Sequence, residues 1–312
     1  MKIVFMGTPE VAAKCLRKIS EAGFPITGVF TQPDRPARRS SEALFSPVKK
    51  TAVDLGCRVF QPEKVSSADG RKILEELSPD VIVIVAFGEI LKKEIIDIPP
   101  AGCINLHFSL LPEYRGAAPV QWAIINGEKR TGVTVFYLDE QVDAGKIIDC
   151  REEEIKNDDT SETLMRRLGN IGAGLLVEVL KNIGKDSVKA RPQAGHGASK
   201  APKLSKKDGK LDWNKKAGSL DCFIRGVYPW PSAFTYLDIN GRRVMIKIHK
   251  AKGVTGSAGG EPGEIIAADR KITVKCPDGF VEIFKLQPEG GKIMDASDFI
   301  NGYHIKPGDR FA

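Results

Sequence analysis

The chain has little of what a membrane span, a disulfide scaffold or a dinucleotide site requires. No apolar run approaches the ~18 residues of a membrane-spanning helix, so no membrane association is expected. The opening MKIVFMGTPE enters a strand-like stretch at once and carries no cleavage-site pattern, which points to a cytoplasmic protein without a signal peptide. Six cysteines (Cys15, Cys57, Cys103, Cys150, Cys222 and Cys276) are widely scattered, with no C-x-x-C pair. In a chain of 312 residues that argues against a disulfide framework and a zinc site, and the expected use is single buried thiols with no metal. The MGTPE turn has one glycine where G-x-G-x-x-G needs three, so a dinucleotide is poorly supported. Histidine is also scarce. Of His107, His196, His249 and His304, the last three lie in linker, barrel and tail contexts.

A hydrophobic fraction of 42% in 312 residues suits a globular chain of two domains. The net charge of +7 is uneven: residues 205–312 hold 18 lysines and arginines against 13 acidic residues. A basic C-terminal third suits a polyanion such as nucleic acid, although the same charge also serves solubility.

Along the first 190 residues strand and helix patterns alternate. KIVFMG (2–7), PITGVFT (25–31), CRVFQP (57–62), DVIVIVAFG (80–88) and GCINLHF (102–108) read as strands. PEVAAKCLRKISEAG (9–23), PVKKTAVDLG (47–56), DGRKILEELS (69–78) and AAPVQWAIING (117–127) read as helices. GVTVFYL (132–138) and KIIDCREEEI (146–155) are further strands that can pair, and a long helix follows within 160–183, with Thr160 or Ser161 as its cap. Such alternation predicts an α/β domain over 1–190, a mostly parallel sheet with helices on both faces. Ligands in such sheets bind beyond the carboxyl ends of the strands. Residues 191–207 lack an apolar period and read as a linker. From 208 to 312 a short helix near 214–226 and several short strands predict a small β-barrel of OB type.

The stretch CINLHFSLLPEYRG (103–116) places Asn105 and His107 two residues apart on a predicted strand, hence on one face. One alternative is a core histidine and a strand-end amide bonding a turn. Against it, the pair sits where a parallel strand should end and a Pro-terminated loop follows. YLDEQVDAGKII (137–148) then offers Asp139, Glu140 and Asp143 at the end of the next strand. A carboxylate folded back onto His107 would fix its tautomer and favour its protonated form. Asn105 and a protonated His107 could then both donate to an oxygen gaining negative charge. That is a site for acyl-type transfer through a tetrahedral intermediate. It needs no nucleophilic side chain if the substrate brings an amine.

INLHFSLLPEYRGAAPVQWAIINGEKRTGVTVFYLDEQVDAGKII resembles the formyltransferases that use 10-formyltetrahydrofolate. Further stretches extend the likeness nearly end to end: VFMGTPEVAAKCL, TQPDRPARR with SPVKK, LSKKDGKLDWNKKA, IRGVYPWPSAFT and LQPEGGKIMDASDFINGYHIKPGDRF. VYPWP and the C-terminal domain are similar to the branch that formylates the α-amine of methionine on initiator tRNA. The resemblance implies a Rossmann-like N-terminal domain and an OB-like C-terminal one, with Asn105, His107 and Asp143 as the catalytic trio. Ser109, Leu110, Leu111 and Pro112 would form the folate loop, with Phe87, Gly88 and Ile90 lining the pterin pocket. It implies 10-formyltetrahydrofolate as donor, tetrahydrofolate as product and initiator methionyl-tRNA as partner, on a monomeric enzyme.

The loop at 33–46 would contact the tRNA acceptor end through Arg35, Arg38 and Arg39. Where relatives often read Pro-Ala-Gly-Arg-Gly, this chain has Pro36-Ala37-Arg38-Arg39-Ser40. Lys206, Lys207, Arg242 and Arg243 would meet phosphates. Tyr228 and Trp230 would pack at the domain junction or, alternatively, stack a base. Two competing readings are a formyltransferase for a small amine, such as an amino sugar or glycinamide ribonucleotide, and a non-catalytic RNA-binding protein.

Overall fold

The computed structural model describes residues 1–36, 43–185 and 187–312, and the chain divides into two compact units. The first comprises Met1–Pro119, Arg130–Glu154 and Met165–Pro202; the second comprises Val120–Lys129, Ile155–Leu164 and Lys203–Ala312.

In chain order the elements are β1 (Ile3–Gly7), α1 (Glu10–Glu21), β2 (Ile26–Phe30), α2 (Pro47–Asp54), β3 (Val59–Phe60), α3 (Ala68–Leu77) and β4 (Val81–Val85). Then come α4 (Lys93–Ile96), β5 (Cys103–His107), α5 (Pro119–Ile125), β6 (Arg130–Tyr137), β7 (Ile147–Glu154) and α6 (Ser161–Ile183). Seven strands form one sheet in the order β7-β6-β5-β4-β1-β2-β3. Only β6 runs against the others. The strand order reverses between β1 and β4, so the sheet has a switch point there, and β4 and β5 end beside it.

The sequence accounts for these elements locally. IVFMG and VIVIV are buried at every position, as central parallel strands must be when both faces are covered. Val4, Met6, Ile82 and Ile84 share a core with Leu74 and Leu77 of α3, which leaves Ile3, Phe5, Val81, Val83 and Val85 for the opposite face. Each such side chain contributes about 1.5–3 kcal/mol on burial. The starts of α2, α3 and α6 are marked by short hydroxyl side chains. Ser46 Oγ accepts from Lys49 N at 3.0 Å just before Pro47, and Ser67 Oγ accepts from Gly70 N at 3.2 Å. Of the two candidates at the start of α6, Thr160 is the cap: Thr163 N donates to its Oγ1 at 3.2 Å, and Thr163 Oγ1 accepts from Thr160 N at 2.9 Å. All six cysteines are free, and burial pushes the Cys15 and Cys103 thiols up to about 12. Among the described residues no helix is long and apolar enough to cross a membrane.

In the second unit, α7 (Ala217–Gly226) precedes β8 (Ala233–Ile239), β9 (Arg242–Thr255), β10 (Ile265–Ala268), β11 (Ile272–Cys276), β12 (Gly279–Pro288), β13 (Met294–Asp295) and α8 (Ala296–Tyr303). The strands make an antiparallel sheet in the order β8-β9-β12-β11-β10, with β13 on β12. This sheet curls, and the last residues of the chain join its two edges. Phe311 bridges Leu237 of β8, while Arg310 bridges Glu264 beside β10. Tyr236 and Ala312 exchange backbone hydrogen bonds at 3.2 and 2.9 Å, and Ile265 N donates to Asp309 O at 2.8 Å. Phe311 stacks on Trp213, whose Nε1 donates to Thr235 Oγ1 at 3.0 Å. The expected small barrel is therefore an antiparallel sheet drawn closed by its own tail. Phe311→Ala is expected to destabilise this unit by about 3–5 kcal/mol, the usual cost of deleting a buried phenyl ring. Calorimetry should show a lower Tm, and a cost below about 1 kcal/mol would mean that the tail does not hold the edges together.

Candidate active site

Strand β5 delivers Asn105 and His107 to the carboxyl rim of the sheet on the same face. The register against β6 sets Asn105 opposite Phe136 and His107 opposite Thr134. His107 is buried, with its ring edge-on to Phe136 at 6.5 Å. Asn105 is half-buried, and its side chain has no hydrogen-bond partner among the described residues. After β6 the chain turns through 138–146 and brings Asp143 back, with Oδ2 3.7 Å from His107 Nδ1. Of the three carboxylates that the sequence left open, Asp143 is the one at the imidazole. Asp139 accepts from Glu140 N at 2.6 Å, and Glu140 lies 4.0 Å from Lys93; both are exposed.

Neighbouring backbone holds this pair. The Tyr114 carbonyl lies 2.9 Å from His107 Nε2 and can only accept, so the neutral ring carries its proton on Nε2. The lone pair then sits on Nδ1, facing Asp143. Gly116 N donates to Asp143 Oδ2 at 2.7 Å. Residues 115–116 pair in parallel with 200–201, Tyr114 N donates to Ser199 Oγ at 2.8 Å, and Arg115 N donates to Ser199 O at 2.8 Å. Gly116 needs its glycine: φ is +124°, and a Cβ there would lie 2.6 Å from the Ala201 carbonyl oxygen. Composition alone made 191–207 look like a linker, yet 199–201 brace the rim. Tyr114, Gly116 and Ser199 escaped sequence reasoning because most of their work is done by backbone groups, which carry no residue-type signal.

The protonation state differs from expectation. Asp143 was expected to favour an imidazolium. Burial is the larger influence and pushes His107 below the ordinary 6.5, against the raising effects of the Asp143 charge and the Tyr114 carbonyl. Burial penalises the charged ring and so favours the neutral one.

The remaining candidates are placed as follows. Ser109 is buried, its Oγ donating to Glu113 O at 2.6 Å. Thr134 Oγ1 donates to Ser109 O at 2.7 Å and accepts from Leu111 N at 3.2 Å, so the 109–112 loop is stitched to β6. Leu111 packs with Phe136 and Ile147, Leu110 and Pro112 are half-buried, and Leu111–Pro112 is a cis peptide. Phe87 is buried, Gly88 is at φ +91°, and Ile90 is 75% exposed. Arg35 is described in backbone only, paired with Leu44, and Arg38 and Arg39 lie outside the described residues. Lys206, Lys207, Arg242 and Arg243 are exposed, with Arg243 over the Tyr236 ring at 4.8 Å. Tyr228 packs edge-on to His249 at 6.0 Å, while Trp230 is 49% exposed. Among the described residues no group of three or more His, Cys, Asp or Glu side chains could hold a metal.

An amide and a carboxylate–imidazole pair thus lie at the rim of the sheet in a chain that family models identify as a formyl-transferring enzyme. The "Formyl transferase" family model matches residues 1–180, and "Formyl transferase, C-terminal domain" matches 203–304. The methionyl-tRNA formyltransferase of Thermodesulfovibrio yellowstonii is 43% identical over 98% of this chain and 97% of its own length. That of Caldanaerobacter subterraneus subsp. tengcongensis is 40% identical over 99% of both. An N-formyltransferase from Helicobacter canadensis, solved with folinic acid and dTDP-3-aminofucose, shares the fold with a TM-score of 0.65 at 20% identity. The alignment covers 91% of this chain and 98% of that one. The chain belongs to the methionyl-tRNA formyltransferase family.

The neutral, buried imidazole makes stability depend on pH. His107 titrates lower in the folded chain than unfolded, so below about pH 6.5 the unfolded chain takes up a proton that the folded one refuses. This contribution is whole above that pH and is lost as pH falls through it. Urea unfolding at about pH 7.5 and about pH 5.5 should show a smaller loss for His107→Gln than for the parent. Equal losses would mean that the ring is not held neutral by burial. His249, also lowered by burial, is present in both proteins and cancels.

Proposed function

We propose that this chain moves the formyl group of 10-formyltetrahydrofolate to the α-amine of methionine on initiator tRNA, releasing tetrahydrofolate. The observation that carries the reading is the Asp143–His107 pair on the face that bears Asn105, in a chain similar over its whole length to enzymes named for this reaction. The amine attacks the formyl carbon, the carbonyl electrons move onto oxygen, and the carbon–N10 bond breaks as the intermediate collapses. Asn105, with a side-chain amide free to donate, stabilises the oxyanion. The neutral Nδ1 of His107, beside Asp143, is where a proton leaving the amine finds both a lone pair and a negative charge. The imidazolium so formed keeps Nε2–H on the Tyr114 carbonyl and is stabilised by Asp143. It then adds its charge to the stabilisation of the oxyanion and can return the proton to the departing N10.

Residues 109–112, with Phe87, Gly88 and Ile90, hold the folate in this reading, and Arg35, Arg38, Arg39, Lys206, Lys207, Arg242 and Arg243 meet tRNA phosphates. Every group named at the reacting centre comes from one chain, which suits a monomer, and the tRNA substrate suits a cytoplasmic enzyme. The small-amine reading draws only on neighbours that share the fold at low identity.

Transfer of labelled formyl to charged tRNA, compared with free methionine, tests the reaction. Asn105→Ala should lower turnover about 10²–10³-fold. His107→Ala should lower it about 10²–10⁴-fold under saturating substrates, and near-parental turnover would remove the assignment. Filter binding over rising salt should show tRNA affinity falling steeply. Replacing Lys206, Lys207, Arg242 and Arg243 by alanine should flatten that slope by about 0.7–0.9 for each phosphate left without its cation. A salt-insensitive affinity would end their electrostatic role.

A further inference from the structure

We propose that Gln193 is a positioning residue for the transfer reaction: its side-chain amide, itself held by Arg115, keeps the Asp143 turn aimed at His107. The inference rests on the reading of Asp143 and His107 as the reacting pair.

The turn needs holding. Asp143 sits at φ +50°, a left-handed conformation that residues with a Cβ rarely adopt. Its carboxylate can face His107 only while that conformation lasts. Two residues on, Gly145 is pressed against the end of β6, where a Cβ would lie 1.8 Å from the Tyr137 carbonyl oxygen. Packing pins that end of the turn. At the other end, Gln193 Nε2 donates to both Asp143 O at 2.8 Å and Gly145 O at 2.9 Å, spanning the turn with one amide. Its Oε1 accepts from Arg115 Nε at 3.1 Å and Nη2 at 2.6 Å. Guanidinium nitrogens only donate and carbonyl oxygens only accept, so this orientation of the amide satisfies every contact and the flipped one satisfies none.

The position of Gln193 is set by chain pairing. Arg191 and Ile147 exchange backbone hydrogen bonds at 2.8 Å each, which lays residue 193 alongside the turn. The ring of contacts then closes on itself. Arg115 is covalently next to Gly116, whose N–H holds the same aspartate by its carboxylate. Asp143 is therefore gripped by backbone and side chain together, and both grips originate at residues 115 and 116. None of these groups touches the reacting atoms in this reading. Gln193 acts through Asp143.

Gln193→Met keeps the side chain's length and removes both its donor and its acceptor; Arg115→Met removes the support. Each should lower kcat about 10–100-fold, with KM for folate and for tRNA within about twofold. The double variant should be little worse than either single one, as expected of groups acting as one unit. A purely structural anchor would not move the His107 imidazole. Nitrogen NMR of that ring, assigned with His107→Asn, should therefore show its titration displaced to lower pH as the Asp143 charge drifts away. Parental kcat, an effect confined to KM, or a fall in kcat with an unmoved His107 titration would each overturn the inference. His107→Ala run alongside separates the two readings. If it stays active, the reacting pair itself is misassigned; if it is inactive while Gln193→Met is normal, only the role of Gln193 falls. The NMR titration needs no turnover, so it reports even if a variant is inactive.

Discussion

The candidate site depends on three consecutive residues. The Tyr114 carbonyl sets the His107 tautomer, the Arg115 guanidinium anchors Gln193, and the Gly116 N–H holds the Asp143 carboxylate. Two of these three contacts are made by backbone, so they are only as accurate as the path of the chain. That path is fixed by pairing with residues 199–201 and by a close approach that only a glycine at 116 permits. A loop that follows a strand end would ordinarily be among the softer parts of an α/β protein. Here it is flanked by a second segment from 85 residues later in the chain, and His107 and Asp143 inherit that segment's support.

Electrostatics follows from the same arrangement. A histidine on the surface would have exchanged protons with water near neutrality whatever its neighbours. Buried beneath the rim and edge-on to Phe136, His107 stays neutral, with Asp143 waiting on the side that lacks a proton. The carboxylate and a bare nitrogen both only accept, so they share no hydrogen bond while the ring is neutral, and at 3.7 Å the carboxylate is near enough to stabilise the imidazolium once it forms. In the proposed reaction, charge would thus appear where it matters to the transition state and be suppressed before it.

Much of this was legible in residue order. The unbroken apolar run at 81–85, the alternation of Asn105 and His107, and the hydroxyl cap before α6 all leave local signals, because each is a property of side chains at a fixed spacing. The acidic cluster at 139–143 was legible as a cluster. Choosing Asp143 from the residues alone would have required knowing that the turn reverses its carboxylate onto β5. The state of the imidazole was not legible, since burial depends on what packs around residue 107 rather than on its neighbours in sequence. The bracing by 193–201 left almost no trace, because a stretch rich in Gly, Ala and Lys looks the same whether it dangles or pairs.

The stitching of Ser109 and Leu111 to Thr134 bears on how such an enzyme could be redesigned. A one-residue insertion between 109 and 112 would unpick both hydrogen bonds to a buried threonine hydroxyl and displace the Leu111 side chain from its pocket with Phe136 and Ile147. Ile90 and Val142, exposed in loops that adjoin the Phe87–Gly88 turn and Asp143, carry no such obligations, and exchanges there cost little stability. Libraries that seek a new acceptor would do well to diversify Val142, keep Ile90, which the proposed function gives to the folate, and leave the threonine-tied loop at its native length.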